Sequence, residues 1–537
     1  MSGNVCEFVK YRDFPDFHVC VPLDWFVDPY SSNNWVHNFL SLRWLYRLSD
    51  YRTRVLFALD FYAAVLTDES LQSHVSGRKR DHSSAIRAEV LNSLIVDDGF
   101  SGLSESERGV LKKFLVATVS EITSVETYKY GHNHGLLIDS SVLAILVGPS
   151  GGVLGCSFFL QALKRVSKQL SLLYCNAGYT LEHSISYQEY NLFTLFSIKG
   201  FLERGFYNIG WGSKGEVFKV IARIDSIIDS SRKILFSACS LEGSYIPFGH
   251  SFRLPNANIL NRVYGCGSPA GFFDDDKSYL FCASIAGFGI YKGVDGIHAG
   301  MVNAFNANSH RSADQLSIYL SIAGRVVFDD AGFSDRLDGF KKVSKQRNYH
   351  SAPFVLSGGA ISEAMPKVCN SQYKTSYFVN DNAIGFMGRF HSGGVEYLRI
   401  YLIIFGVGAL IIDTFSGATD GGVGHGFLLG DVSVVLHGDC GWSGTLGDLD
   451  FWVSRKTSYE ISELCVAGRK KTEVLSSKKL NLRYSEGGTV AFFVSFVGNK
   501  KEVEFQSDDC GGVFKCGDFL LKYNIEDFCF KDIFMGF

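Results

Sequence analysis

A chain of 537 residues is longer than one hydrophobic core usually organises, so two large domains, or two with a small appendage, are expected. Hydrophobic residues make up 46% and charged residues 20%, which excludes a disordered chain. The net charge of -3 lacks the basic excess of a phosphate-binding surface, so no nucleic-acid partner is expected. Thirteen cysteines, an odd number scattered from Cys6 to Cys529 without a CxxC pair, read as reduced buried thiols. Near the start, Glu7, Lys10, Arg12, Asp13 and Asp16 interrupt any apolar core of a secretory signal, and a cytoplasmic location is expected.

In chain order, the first part reads as helical. Trp35, Phe39, Leu40, Trp44, Leu45 and Leu48 recur at helical spacing, as do Leu111, Leu115, Val116 and Val119. Further helices are expected at about 140–148, 157–174, 188–203 and 214–230, separated by short Gly, Ser or Asn segments suited to antiparallel pairs. After Gly243 the texture changes, with Pro247, Pro255 and Pro269, many glycines, and then short β-branched or aromatic runs. The domains are therefore placed at 1–243 and 277–537, with a linker over 244–276. Strands are expected at Tyr279–Ile285, Ser317–Ile322, Arg325–Phe328, Val395–Ile404, Ala409–Phe415, Val432–Leu436, Val490–Phe496 and Val513–Tyr523, giving a multidomain α+β chain that ends in an antiparallel β-sandwich. The apolar run Tyr397–Ile412 carries Arg399 and is too short for a comfortable membrane span. Two buried strands around Phe405-Gly406-Val407-Gly408 account for it, so no integral membrane segment is expected.

Four polar segments could carry chemistry. Gly131-His132-Asn133-His134-Gly135 stands just before an apolar helical stretch, where backbone donors and the helix dipole favour an anion; taken alone, such a cluster is more often a cap. Glu182-His183-Ser184-Ile185-Ser186-Tyr187-Gln188 leads into another helix. Ser309-His310-Arg311-Ser312-Ala313-Asp314-Gln315-Leu316 precedes an alternating strand, with Phe328-Asp329-Asp330-Ala331-Gly332 beyond it. Arg347-Asn348-Tyr349-His350 precedes the strand that begins at Pro353.

In this order, with a helical half before a β half, these segments resemble the heparinase II/III-like polysaccharide lyases. Asn133-His134-Gly135 is similar to the family's Asn-His-Gly, and Glu182 to Tyr187 to its Glu-x-Ser-Pro-Ser-Tyr, with Ile185 replacing Pro. His310 to Ser317 resembles His-x-His-x-Asp-x-Leu-Ser, Phe328 to Gly332 the following Val-Asp-Pro-Gly, and Ile411-Ile412-Asp413 a later strand ending in Asp. The resemblance implies an N-terminal (α/α) toroid of helix pairs, a C-terminal β-sandwich, a substrate cleft between them, and β-elimination on a uronic-acid-containing polysaccharide or oligosaccharide. It implies Tyr187, His134 and His310 for proton transfer and positioning, and Asn133 for neutralising the carboxylate, with Glu182 and Gln188 joining Asn133 in binding substrate. A phenol does such work only where neighbours lower its normally high pKa.

The chain departs from the family at Gln188, where His is common, and at Gly249-His250, where Gly-Asp is frequent. In some relatives the second His of His-x-His joins an Asp and a later His in binding metal; the corresponding residues here are Ser312, Asp330 and His350. Zinc sites normally need three or more protein ligands, so neither zinc nor another cofactor is expected, and Asp330 and His350 should form a structural pair. Two other functions remain open for the same scaffold: modification or hydrolysis of a surface polysaccharide during its biosynthesis, and glycan binding without turnover. The sequence leaves the oligomeric state open.

Overall fold

The structure is a computed structural model that describes residues 6–9, 14–77, 79–96, 103–148, 154–209, 214–240, 242–265, 277–304, 306, 310, 312–333, 338–362, 374–392, 394–417, 422–430, 432–437, 443–454, 458–467, 474–484, 488–496, 503–508, 511–516, 519–524 and 529–535. It is an α+β chain in which helices precede antiparallel sheets. Two compact units emerge. One holds residues 1–173 and 191–228, the other 174–190 and 229–537.

The first unit opens with a two-stranded ribbon, Cys6–Val9 paired with Phe17–Cys20, whose end residues Cys6 and Cys20 form a disulfide. This corrects the expectation of reduced thiols for that pair: the register sets the two residues directly opposite, as a cross-strand bond requires. Cys156, Cys175, Cys239 and Cys282 are free. Helices follow at Asn33–Leu40, Tyr51–Thr67, Glu69–Val75, Asp81–Val96, Glu105–Ile122, Asn133–Val147 and Cys156–Leu173. Their starts are chemically marked. Ser32 and Asp50 accept from backbone N–H groups in the first turn, and Ser104 with Glu107 forms a reciprocal capping box. The apolar spacing from Trp35 to Leu48 does not give one helix. It breaks after Leu40 because Ser41 Oγ donates to Asn38 O and accepts from Arg43 N, and Leu42 turns left-handed at φ 58°.

Helices Ile185–Ile209 and Lys214–Ala238 each run from one unit into the other. In the second unit an eight-stranded and a ten-stranded sheet pack face to face around one core, in which Phe386, Tyr401, Ile411 and Phe492 meet Leu320, Phe328, Phe427 and Leu480. Strands Val395–Ile404 and Gly408–Gly417 form a hairpin inside the eight-stranded sheet, with Ile404 opposite Gly408. The uniform apolar run has a simple cause there. Tyr397, Tyr401 and Ile403 face the shared core, whereas Leu398, Ile400, Leu402 and Ile404 face a second core closed by Phe514, Cys516 and Leu521. Those last residues belong to a four-stranded sheet that begins at Val503, in which the expected single strand Val513–Tyr523 is two, Gly511–Cys516 and Phe519–Asn524. The charges in the hairpin sit opposite each other: Arg399 donates to both oxygens of Asp413 at 2.7 and 2.6 Å, and His425 Nδ1 also bonds that carboxylate. Burial works against the Asp413 charge, but Arg399 and His425 outweigh it and hold the carboxyl down at about 2. Among the described residues, no helix is long and apolar enough to cross a membrane.

Candidate active site

In the first unit, the Asn-His-Gly segment is the start of a helix. Asn133 is the first residue of Asn133–Val147, and His132 caps it, its Nδ1 accepting from His134 N at 3.2 Å. Gly135 is set by close approach: a Cβ there would lie 1.7 Å from Gln169 Nε2 and 2.3 Å from Lys129 O. Gln169 needs that space, because it donates to Lys129 O at 2.7 Å and accepts from Gly131 N at 2.7 Å, tying the preceding turn to the helix. His134 Nδ1 lies 2.9 Å from Asp81 Oδ1, while Lys129 Nζ lies 2.9 Å from Asp81 Oδ2. Burial tends to raise the Asp81 carboxyl, but the bonds and charges of His134 and Lys129 prevail and lower it.

His134 ends no isolated pair. Its ring lies 4.4 Å from His132 and 4.9 Å from His82, which lies 4.6 Å from His37. Burial, then the neighbouring His134 and Lys129 charges, push His132 down to about 3; burial first, then nearby positive charge, brings His37 to about 4. His82 is lowered in the same way, by burial and its histidine neighbours. These three imidazoles are neutral near pH 7 and can accept as well as donate hydrogen bonds.

In the second unit, Tyr187 lies in the first turn of Ile185–Ile209 and stacks on His310, with ring centroids 3.5 Å apart and planes at 25°. His310 Nε2 is 3.8 Å from Glu182 Oε1, whose side chain is fully buried. The helix start is pinned by Ser184 Oγ, which donates to His250 O at 2.8 Å, and by Ser251 Oγ, which accepts from Ile185 N at 2.9 Å. Gly249 makes the junction: at φ 63°, a Cβ would meet His183 O at 1.9 Å and His310 O at 3.3 Å. Both His183 and His310 also hold positive φ, at 58°. Gln188 is fully buried, its amide accepting from Thr180 N at 2.6 Å and donating to Gly178 O and Ser231 Oγ.

No protein-family model matches the chain, and no curated protein does. Solved structures do. A heparinase III is similar with a TM-score of 0.70 over 94% of this chain and 85% of that one, at 11% identity. Heparan sulfate lyase HepC from Pedobacter heparinus gives 0.62 over 96% and 86%, at 14% identity. A chondroitinase AC lyase gives 0.55 over 92% and 82%, at 7% identity. The chain has the heparinase III-like lyase fold.

On this heparinase III-like fold, the positions that match metal ligands in some relatives are arranged as a hydrogen-bonded pair. His350 Nδ1 lies 2.9 and 3.0 Å from the two Asp330 oxygens, and Ser317 Oγ donates to Asp330 Oδ2 at 2.7 Å. Ser312 is buried, and its backbone oxygen accepts from Gln315 Nε2 at 3.3 Å. Among the described residues, no third His, Cys, Asp or Glu ligand atom gathers with Asp330 and His350, so the set does not fit a zinc ion. Above the pair, Asp314 Oδ2 accepts from Gly249 N at 2.9 Å; burial first, then the Asp330 charge, outweigh the opposing His350 and push its carboxyl up to about 6.

The sequence reading overlooked Asp81, Lys129, His82 and His37. A trace was present: Lys79-Arg80-Asp81-His82 is a charge run at a helix start, a place where polar residues more often cap than catalyse.

Proposed function

We propose that the chain is a polysaccharide lyase that cleaves a uronic-acid-containing acidic polysaccharide or oligosaccharide by β-elimination. The gathering of Tyr187, His310 and Glu182 carries the reading: the phenol and imidazole rings stack with centroids 3.5 Å apart and a buried carboxylate oxygen lies 3.8 Å from the imidazole Nε2, so three groups able to carry a proton stand together. In the reaction, a base removes the proton on the carbon next to the carboxylate. The released electron pair forms the ring double bond, the bond to the 4-linked oxygen breaks, and an acid protonates the departing oxygen. Tyr187 is the proton carrier in this scheme, and His310 positions it or shares the proton. Asn133 donates to the carboxylate as enolate-like charge develops, and His134, fixed by Asp81, assists.

Glu182 and Gln188, expected to bind substrate, are both fully buried, so in this scheme they act by positioning instead: Glu182 orients His310, and Gln188 anchors the helix start that carries Tyr187. The domain limits expected at 243 and 277, and the winding of the helical part as an (α/α) toroid, belong to the same proposal. The heparinase III-like fold supports this reading, and the names of its solved neighbours supply the class of substrate to try first.

The test is a screen of uronic-acid polymers for the ultraviolet absorbance of the unsaturated product. Tyr187→Phe keeps the ring and removes the hydroxyl, so turnover should fall more than about a hundredfold with binding retained. Activity near that of the parent, or a product without ultraviolet absorbance, refutes the scheme.

A further inference from the structure

A cavity of about 680 Å³ in the first unit is lined by Asn33, His37, Ser73, His74, Lys79 and Arg80, with Ser76 beside them. Its construction is local. Asn33 and His37 are four residues apart and share one face of the helix Asn33–Leu40, while Ser73 and His74 end Glu69–Val75. Lys79 and Arg80 immediately precede the helix Asp81–Val96. Arg80 is held in place by its Nε, which donates to His74 O at 3.1 Å, leaving its terminal nitrogens for another acceptor. His37 Nδ1 is engaged by Ser83 Oγ at 2.6 Å, which leaves Nε2 for a ligand.

Lys79 and Arg80 bring two cationic side chains to this cavity. Among the described residues no carboxylate is paired with Lys79 or Arg80, although the chain as a whole is net negative at -3. The cavity also adjoins the residues discussed above. His37 lines it, and ring-to-ring steps of 4.6 and 4.9 Å lead through His82 to His134, all inside the one unit.

The geometry points to an oxyanion subsite: Lys79, Arg80, His37 and His74 bind a sulfate or carboxylate group of an acidic glycan whose neighbouring residues reach His134. This rests on the acidic-glycan reading and adds where a second anionic group is held. Guanidinium and ammonium donors suit such oxyanions, and hydroxyl and amide groups from Ser73, Ser76 and Asn33 can meet sugar hydroxyls. The histidines supply neutral hydrogen-bonding edges, because burial lowers both His37 and His74.

The experiment titrates size-defined heparosan, which carries only carboxylates, and its N-sulfated counterpart into the full chain by calorimetry. Lys79→Gln and Arg80→Gln are made in a Tyr187→Phe background that prevents turnover, with unfolding midpoints checked. Each should weaken binding about tenfold and flatten its salt dependence. Weakening with both oligosaccharides assigns a carboxylate, and weakening only with the sulfated one assigns a sulfate. Unchanged affinity and salt slope in both variants overturn the subsite, as does failure of the Tyr187→Phe chain to bind either oligosaccharide. Ultraviolet-absorbing product from the parent chain reads the elimination chemistry separately. A charge-dependent loss of binding without such product keeps the subsite and removes the lyase scheme.

Discussion

Gly249→Ala is the sharpest structural perturbation of the Tyr187 region. The added Cβ would stand 1.9 Å from His183 O and 3.0 Å from His183 C, both backbone atoms, and the residue holds φ 63°. The left-handed conformation costs a non-glycine residue about 1 to 2 kcal/mol, and forcing the backbone apart adds about 1 to 3, so the whole is about 2 to 5 kcal/mol. Gly243→Ala is the control, since Gly243 has φ 76° and nothing within 4 Å of its Cβ, leaving only the conformational cost. Urea unfolding of both variants, read by circular dichroism and compared at unchanged slope, separates the two contributions. Moving His183 away from Gly249 also shifts the start of the helix that carries Tyr187, so turnover should fall further in Gly249→Ala than in the control. If Gly249→Ala costs no more than Gly243→Ala, the close approach of the two segments is wrong.

The histidine row makes stability pH-dependent. His37 and His132 titrate at about 4 and about 3, below the 6.5 of an unfolded histidine, so below pH 6.5 the unfolded chain binds the more protons and stability falls as pH falls. At pH 5 each should cost about 2 kcal/mol relative to pH 7, and the loss continues toward their folded pKa values. Denaturation at pH 7 and pH 5 should show His132→Gln flattening the profile; identical profiles contradict neutral buried rings. For the Asp330–His350 pair, elemental analysis should find no stoichiometric zinc and chelator should leave the unfolding midpoint unchanged. Asp330→Ala should cost about 1 to 3 kcal/mol by leaving buried His350 Nδ1 and Ser317 Oγ without their acceptor, whereas one zinc per chain lost together with stability would reverse the assignment.

Local patterns were legible in the sequence where they follow from one element's own periodicity. The strands Ser317–Ile322 and Val395–Ile404 were bounded as the structure bounds them, because turn residues flank them and backbone pairing tolerates little else. Asn133, His134, Tyr187 and His310 could be singled out because polar residues at helix and strand starts are conspicuous beside apolar runs. The two faces of the run Tyr397–Ile412 were not separable by sequence, since a strand buried on both sides loses its alternation. The break after Leu40 was hidden because Ser41 competes with the helix through hydrogen bonds that hydrophobic spacing does not register.

The sequence by itself determined the α-then-β order, the strand runs and the polar segments, all consequences of short-range periodicity and turn chemistry. Only the tertiary structure decided which of those polar groups meet. Asp81 reaches His134 across 53 positions and His310 reaches Tyr187 across 123, and no local propensity encodes such distances. Gly249 shows the reason: its need for glycine comes from the carbonyls of His183 and His310, which approach it only after distant segments of chain have packed together.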